Sequence, residues 1–83
     1  MLKADGFDEA VLGIGIRATQ EDVIVYDAQK CMDIIKRDSD DSSDFEALEY
    51  FEYNVAGAWH GEQTPIFLYK KTMKEIDEDL ANE

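Results

Sequence analysis

Alternating hydrophobic positions near the N-terminus predict two β-strands. In AVLGIGIR (10–17), Leu12, Ile14 and Ile16 fall on one side of an extended chain, opposite valine, glycine and arginine. The segment VIVYD (23–27) is dense in β-branched residues, which favours a second strand. Because only a short polar link separates the two segments, we expect them to pair as an antiparallel hairpin.

Helical spacing follows the second strand. Asp27 is placed to cap a helix N-terminus, and hydrophobic residues then recur at intervals of three and four, at Ala28, Cys31, Met32 and Ile35. A longer helix is predicted after the acidic stretch, with Ser43 and Glu46 at capping-box spacing. Its expected apolar stripe is Leu48, Phe51, Val55, Ala58 and Trp59, and Gly61 is expected to end it.

The C-terminal third predicts one more strand and a short helix. Pro65 opens PIFLYK (65–70), and proline is tolerated at the first residue of a strand. Thr72 and Glu75 repeat the capping-box spacing, so 72–83 is expected to be a peripheral helix or a frayed tail. The sequence therefore predicts one α+β domain over 1–83, in the order β-β-α-α-β plus a short C-terminal helix. We expect a three-stranded antiparallel sheet with two helices packed on one face.

Composition narrows the class of partner. The chain has 83 residues, 45% of them hydrophobic, and a formal net charge of −12. A surface of this charge repels nucleic-acid phosphates and anionic lipid, so neither nucleic acid nor a membrane is an expected partner. With one cysteine and no apolar run at the N-terminus, the sequence favours a soluble protein of a reducing cytoplasm, without a signal peptide.

No catalytic constellation can be assembled from these residues. The G-x-G-x-x-A spacing in GIGIRA (13–18) lies inside a predicted strand rather than at a strand-to-helix turn, so it does not predict dinucleotide binding. His60 has no serine or cysteine nucleophile placed to use it, and Cys31 lies on a stripe expected to be buried. Glu52 falls at the edge of the apolar stripe. An ion pair with a cation such as Arg17 explains a carboxylate at that position. We therefore expect a non-enzymatic protein without a cofactor.

The segment DSDDSSDFEALE (38–49) has the ligand spacing of a calcium loop. Oxygen donors fall at positions 1, 3, 5, 7 and 12, which are Asp38, Asp40, Ser42, the Asp44 carbonyl and Glu49. Position 6, where such a loop requires glycine, is Ser43. The competing interpretation is an acidic turn in which Ser43 caps the following helix and the carboxylates are solvated. Both interpretations stay open at the level of the sequence.

Most of the chain resembles a family of small hypothetical proteins. Over about residues 4–67, at ADGFDEAVLGIGIR, YDAQKCMDIIKRD and FEALEYFEYNVAGAWHGEQTPIF, it is similar to proteins encoded by tailed bacteriophages and some bacteria. The resemblance implies a phage accessory protein that acts in the host cytoplasm, and it implies no activity, cofactor or catalytic residue.

Size, charge and the lack of a catalytic constellation favour binding to another protein, one with a basic surface. The expected contact surface consists of Glu46, Glu49, Tyr50 and Tyr53 beside the 38–44 turn, because tyrosines next to carboxylates suit an interface. Two alternatives are a calcium-binding module and a self-associating structural protein. The latter would form a homo-oligomer through the face of Gly13 and Gly15 or through an unpaired sheet edge.

Overall fold

The computed structural model describes residues 1–39 and 43–83. Over these residues the chain is α+β, with three strands, β1 (Val11–Gly15), β2 (Val23–Asp27) and β3 (Ile66–Leu68), and three α-helices. The helices are α1 (Ala28–Asp38), α2 (Asp44–Tyr50) and α3 (Met73–Ala81). A short 3₁₀ turn (Asp8–Ala10) precedes β1, and α2 continues directly as a π-helix (Phe51–Ala56). The element order agrees with the one predicted.

The sheet is mixed, so the prediction of a purely antiparallel sheet was wrong. Its strand order is β1-β2-β3, and β1 pairs antiparallel to β2 as expected. Strand β3 pairs parallel to β2, with Val25 opposite Ile66 and Asp27 opposite Leu68. A parallel neighbour needs a crossover connection rather than a tight turn. The helical segment between β2 and β3 is that crossover, and it returns the chain to run in the direction of β2.

Three aromatic rings join the sheet to the helices. Tyr26 of β2 stacks on Phe67 of β3 with ring centroids 5.5 Å apart, and Phe51 meets Phe67 edge-on at 5.4 Å. Tyr26 and Phe51 are fully buried, and the core around them draws on α1 and α2 through Cys31, Ile34, Ile35 and Ala47. Such ring pairs contribute beyond the area that they bury, so this aromatic cluster is the centre of the core.

The helix formed by α2 and its π-helical extension ends earlier than the sequence predicted. Its last π-helical residue is Ala56, and Gly57 follows. A Cβ at position 57 would collide with the backbone carbonyl oxygen of Glu52, so only glycine fits at this end. Gly61 does have a positive φ of 93°, but it belongs to the next turn, in which the Thr64 N–H donates to its carbonyl. Because the helix stops at Ala56, Trp59 lies beyond it and is 71% exposed, so its predicted place in the apolar stripe was wrong.

Capping follows the sequence closely. The Asp27 carboxylate accepts from the Lys30 N–H at 3.1 Å, and this bond is the main reason that the pKa of Asp27 is lowered. The Ser43 Oγ accepts from the Glu46 N–H at the start of α2, and Thr72 with Glu75 forms a complete capping box at the start of α3. These predicted N-terminal caps are confirmed.

Helix α3 is peripheral. None of its residues is buried, and its hydrophobic positions Met73, Ile76 and Leu80 are all exposed. The capping box and an ion pair between Lys71 and Asp79 stabilise its own turns. The helix therefore adds little to the core, because the energy of folding comes mainly from buried apolar area.

Replacing Phe51 tests the aromatic cluster. We expect Phe51→Leu to lower the free energy of unfolding by about 1 kcal/mol, and Phe51→Ala by about 3–5 kcal/mol, because each leaves part of the ring's volume empty. Chemical denaturation followed by circular dichroism measures both changes. The matched control is Tyr53→Leu on the same π-helix, where the ring is exposed and the expected change is within about 0.5 kcal/mol. Equal losses at Phe51 and Tyr53 would contradict the assignment of the core.

Candidate functional site

An open groove of about 940 Å³ runs beside α2. Its walls are the N-terminal segment 2–7, the C-terminal end of α1, one side of α2 with its π-helical extension, and the segment 60–67. The apolar lining includes Phe7, Ile34, Ile35, Val55 and Phe67. Phe67 belongs to the aromatic cluster, so the groove is supported directly by the core. An apolar lining with a few polar groups at its border is typical of a binding site.

Of the four residues in the predicted contact surface, two line the groove and two do not. Glu46 and Tyr50, one helical turn apart, line it. Glu49 and Tyr53 are exposed on the same continuous helix but are not among the lining residues. The rings of Tyr50 and Tyr53 are 54% and 78% exposed, so both are accessible to a partner. We define the groove side of this helix by Glu46 and Tyr50, and its outer side by Glu49 and Tyr53.

Negative charge dominates this part of the molecule. Between Arg37 and Lys70 the sequence has neither lysine nor arginine, yet it has eight acidic residues, Asp38, Asp40, Asp41, Asp44, Glu46, Glu49, Glu52 and Glu62. Of the six that the structure describes, two pair with cations of α1: Asp44 with Lys36 at 2.7 Å and Asp38 with Arg37 at 3.2 Å. Both pairs are exposed and so contribute little to stability. The carboxylates of α2 therefore lie in a region that is strongly negative overall.

Sequence reasoning missed the N-terminal wall of the groove. The segment LKADGF (2–7) has no periodicity from which an element could be predicted. In the structure the Ala4 N–H donates to the hydroxyl of the buried Tyr26 at 2.8 Å, and Phe7 packs against the core. A buried tyrosine hydroxyl needs a hydrogen-bond partner, and that requirement is the one signal that a segment must cover β2.

The proposed calcium loop lies partly outside the described residues, since it includes Asp40 and Ser42. Of its described members, Asp38 ends α1, Asp44 is the first residue of α2, and Glu49 is near the end of α2. Asp38 and Asp44 engage Arg37 and Lys36. Within 1–39 and 43–83, no group of three or more His, Cys, Asp or Glu side chains is arranged to hold a metal ion. The Ser43 cap agrees with the alternative interpretation of the segment as the start of a helix.

His60, Cys31 and Glu52 do not converge. His60 lines the groove, whereas Cys31 is buried in the core between the sheet and the helices and Glu52 is exposed on the π-helix. Arg17, the cation suggested for Glu52, instead donates to the backbone carbonyl of Glu62 at 3.4 Å. Burial raises the pKa of the Cys31 thiol to about 11, which keeps it protonated and a poor nucleophile near neutral pH.

The fold and the groove thus define a small α+β protein with an acidic, tyrosine-bearing groove. No family model, curated protein sequence or solved structure matches this chain. Among the described residues, no helix is both long enough and apolar enough to span a membrane.

The thiol of Cys31 offers a test of its burial. Because its pKa is raised to about 11, the folded protein should react with a chromogenic disulfide reagent near pH 8 far more slowly than the protein unfolded in guanidinium does. Absorbance of the released thiolate measures both rates. Comparable rates for folded and unfolded protein would show that the thiol is accessible.

Calcium titration tests the 38–49 loop. If the loop binds the ion, millimolar calcium should raise the melting temperature and change the fluorescence of the exposed Trp59, because a ligand that binds only the folded state stabilises it. An Asp38→Asn, Asp40→Asn variant controls for non-specific screening of the acidic surface. If neither signal changes in the wild type, or both proteins respond alike, the calcium interpretation is wrong.

Proposed function

We propose that the protein is a non-enzymatic accessory protein that binds another protein through the groove beside α2. The partner segment carries lysine or arginine together with an apolar side chain. The single observation that carries the proposal is the apolar groove bordered by Glu46 and Tyr50, which belong to a stretch of the chain (38–69) that has neither lysine nor arginine.

The shape of the groove supports a macromolecular partner. It is open to solvent and its walls come from four separate parts of the chain, so a segment of another protein can contact several of them at once. Phe7, Val55 and Phe67 line the groove and are only partly buried, so they supply the apolar area that gives most interfaces their affinity. Tyr50 and Tyr53 provide rings that lose little side-chain entropy on contact and can also accept or donate hydrogen bonds.

Charge supports a basic partner over an acidic one. The border of the groove holds the carboxylates of Asp5, Asp38 and Glu46 and the ammonium of Lys3. Lys3 pairs with Asp8 at 3.1 Å and Asp38 pairs with Arg37 at 3.2 Å, so the negative charge of the border comes mainly from Asp5 and Glu46. Complementary potentials speed the encounter of two proteins and disfavour partners of like charge. The same field repels the phosphates of nucleic acids.

The reactive side chains of the chain lie apart from one another. His60 lines the groove, but Cys31 is enclosed in the core and Glu52 lies on an exposed part of the π-helix. A general base needs its reacting group within hydrogen-bond reach, and a nucleophile needs an adjacent base. The proposed origin in a tailed phage, and action in the host cytoplasm, rest on the family resemblance of residues 4–67 alone.

Paired variants of the chain test the proposal in a bacterial lysate. Immobilised wild-type protein should retain a basic protein at low salt, and Asp5→Asn, Glu46→Gln should retain about tenfold less of it, since two carboxylates that line the groove are lost. Glutamine at position 46 preserves the cap contact with Ser43. Quantitative mass spectrometry of the eluates measures retention.

The control variant is Asp77→Asn, Glu78→Gln on α3, which removes the same charge from exposed positions away from the groove. It should retain as much of the partner as the wild type. Equal losses in the two variants would show that only total charge matters, and no retained protein at low salt would refute a basic partner.

A further inference from the structure

We propose that α3 is a strap that closes over the outer face of the sheet, the face turned away from the aromatic cluster. Successive side chains of a strand point to opposite faces. Tyr26 and Phe67 point into the core, so the paired residues Val25 and Ile66 lie on the outer face. Leu68, two residues after Ile66, lies on that face as well. None of these three outer residues lines the groove, so the outer face is a separate surface.

The outer face is apolar and incompletely covered. Val23 at its far end is fully buried, whereas Val25 and Ile66 are partly exposed. Leu68, at the end of β3 from which α3 leaves, is 40% exposed. A Cβ built at Gly15 would lie 2.8 Å from Val25 Cγ2, so β1 contributes a bare glycine to this face, where another element can come close. Parallel strands such as β2 and β3 are usually covered on both faces.

Helix α3 carries the apolar surface that this face lacks. Met73, Ile76 and Leu80 recur at helical spacing on one side of α3 and are 63%, 39% and 55% exposed. The stripe from Met73 to Leu80 is about 10 Å long, as are the three residues of β3 in an extended chain. A helix this short is stabilised mainly by packing of its apolar side. The stripe and the outer face therefore match in length and in chemistry.

The connection between β3 and α3 selects this helix as the occupant. Only residues 69–72 separate the two elements, a length typical of links between a strand and a helix that packs on its sheet. Lys70 pairs with Asp27 of β2 at 3.3 Å, whereas Lys71 pairs with Asp79 of α3. The hinge therefore lies between Lys70 and Lys71, because the first is tied to the sheet and the second to the helix. A short tether gives α3 an effective concentration on the order of millimolar at this face.

The dimensions of the molecule agree with a strap that can close. The Cα radius of gyration is 13.9 Å, whereas a compact domain of 83 residues has a radius of about 12 Å. A peripheral α3 without a buried residue accounts for part of the difference. Closure leaves the groove open, since the groove is lined by Phe67 on the opposite face of the sheet.

Nuclear magnetic resonance of methyl-labelled protein tests the closure. We expect Overhauser contacts between the methyl groups of Ile76 or Leu80 and those of Val25, Ile66 or Leu68. A sample that mixes isotope-labelled with unlabelled chains separates contacts within a chain from contacts between chains. Contacts only between chains would overturn closure and assign the outer face to a second copy, and the absence of any contact would overturn it as well.

Matched serine variants test whether the stripe makes the contact. Leu80→Ser removes an apolar side chain from the stripe, so it should lower the melting temperature by about 5 °C and abolish the contacts of Ile76 with the sheet. Ala81→Ser introduces the same residue at the next position, outside the stripe, and should change neither. Circular dichroism checks that both variants are folded. Equal shifts in melting temperature for the two variants would contradict the proposal.

Discussion

The stacking of Tyr26 on Phe67, closed by the edge of Phe51, is the contact on which the rest of the structure depends. These three rings come from β2, β3 and the π-helix, which are far apart in sequence. Strand β3 pairs with β2 over only three residue positions, too few to fix its place by backbone hydrogen bonds alone. The contacts among the three rings add the stabilisation that holds β3 beside β2. They also support the groove, because Phe67 is both a member of the cluster and part of the groove lining.

The helix formed by α2 and its π-helical extension determines which of its side chains border that groove. The buried positions are Ala47 in α2 and Phe51 at the start of the π-helix, and this phase turns Glu46 and Tyr50 towards the N-terminal segment. A π-helical stretch has a wider turn than an α-helix, so residues after Phe51 depart from the spacing that an α-helix would give them. Val55 still reaches the core, but the helix ends at Gly57 and leaves Trp59 outside. Local backbone geometry thus sets the composition of the candidate site.

Patterns that are local in sequence predicted local structure well. The two N-terminal strands, the caps at Asp27, Ser43 and Thr72 and the order of elements all follow from spacing and capping chemistry. The direction of β3 did not, because the alternation in 65–70 is the same for a parallel and an antiparallel strand. Ideal α-helical spacing placed Trp59 on the apolar stripe, since nothing in the sequence signals a π-helix. Glu46 and Tyr50 were predicted for the site, whereas its N-terminal wall depends on a long-range bond to Tyr26 that no periodicity encodes.

The molecule carries two surfaces whose physics differ. The helix bearing Glu46 and Glu49 offers charge, and charge acts at a distance, is weakened by salt and favours an unlike partner. Strand β1 offers backbone hydrogen-bonding groups and uncharged side chains, which act only on contact and are little affected by salt. Because β1 is at the edge of the sheet and is not among the residues that line the groove, a strand added there leaves the groove open.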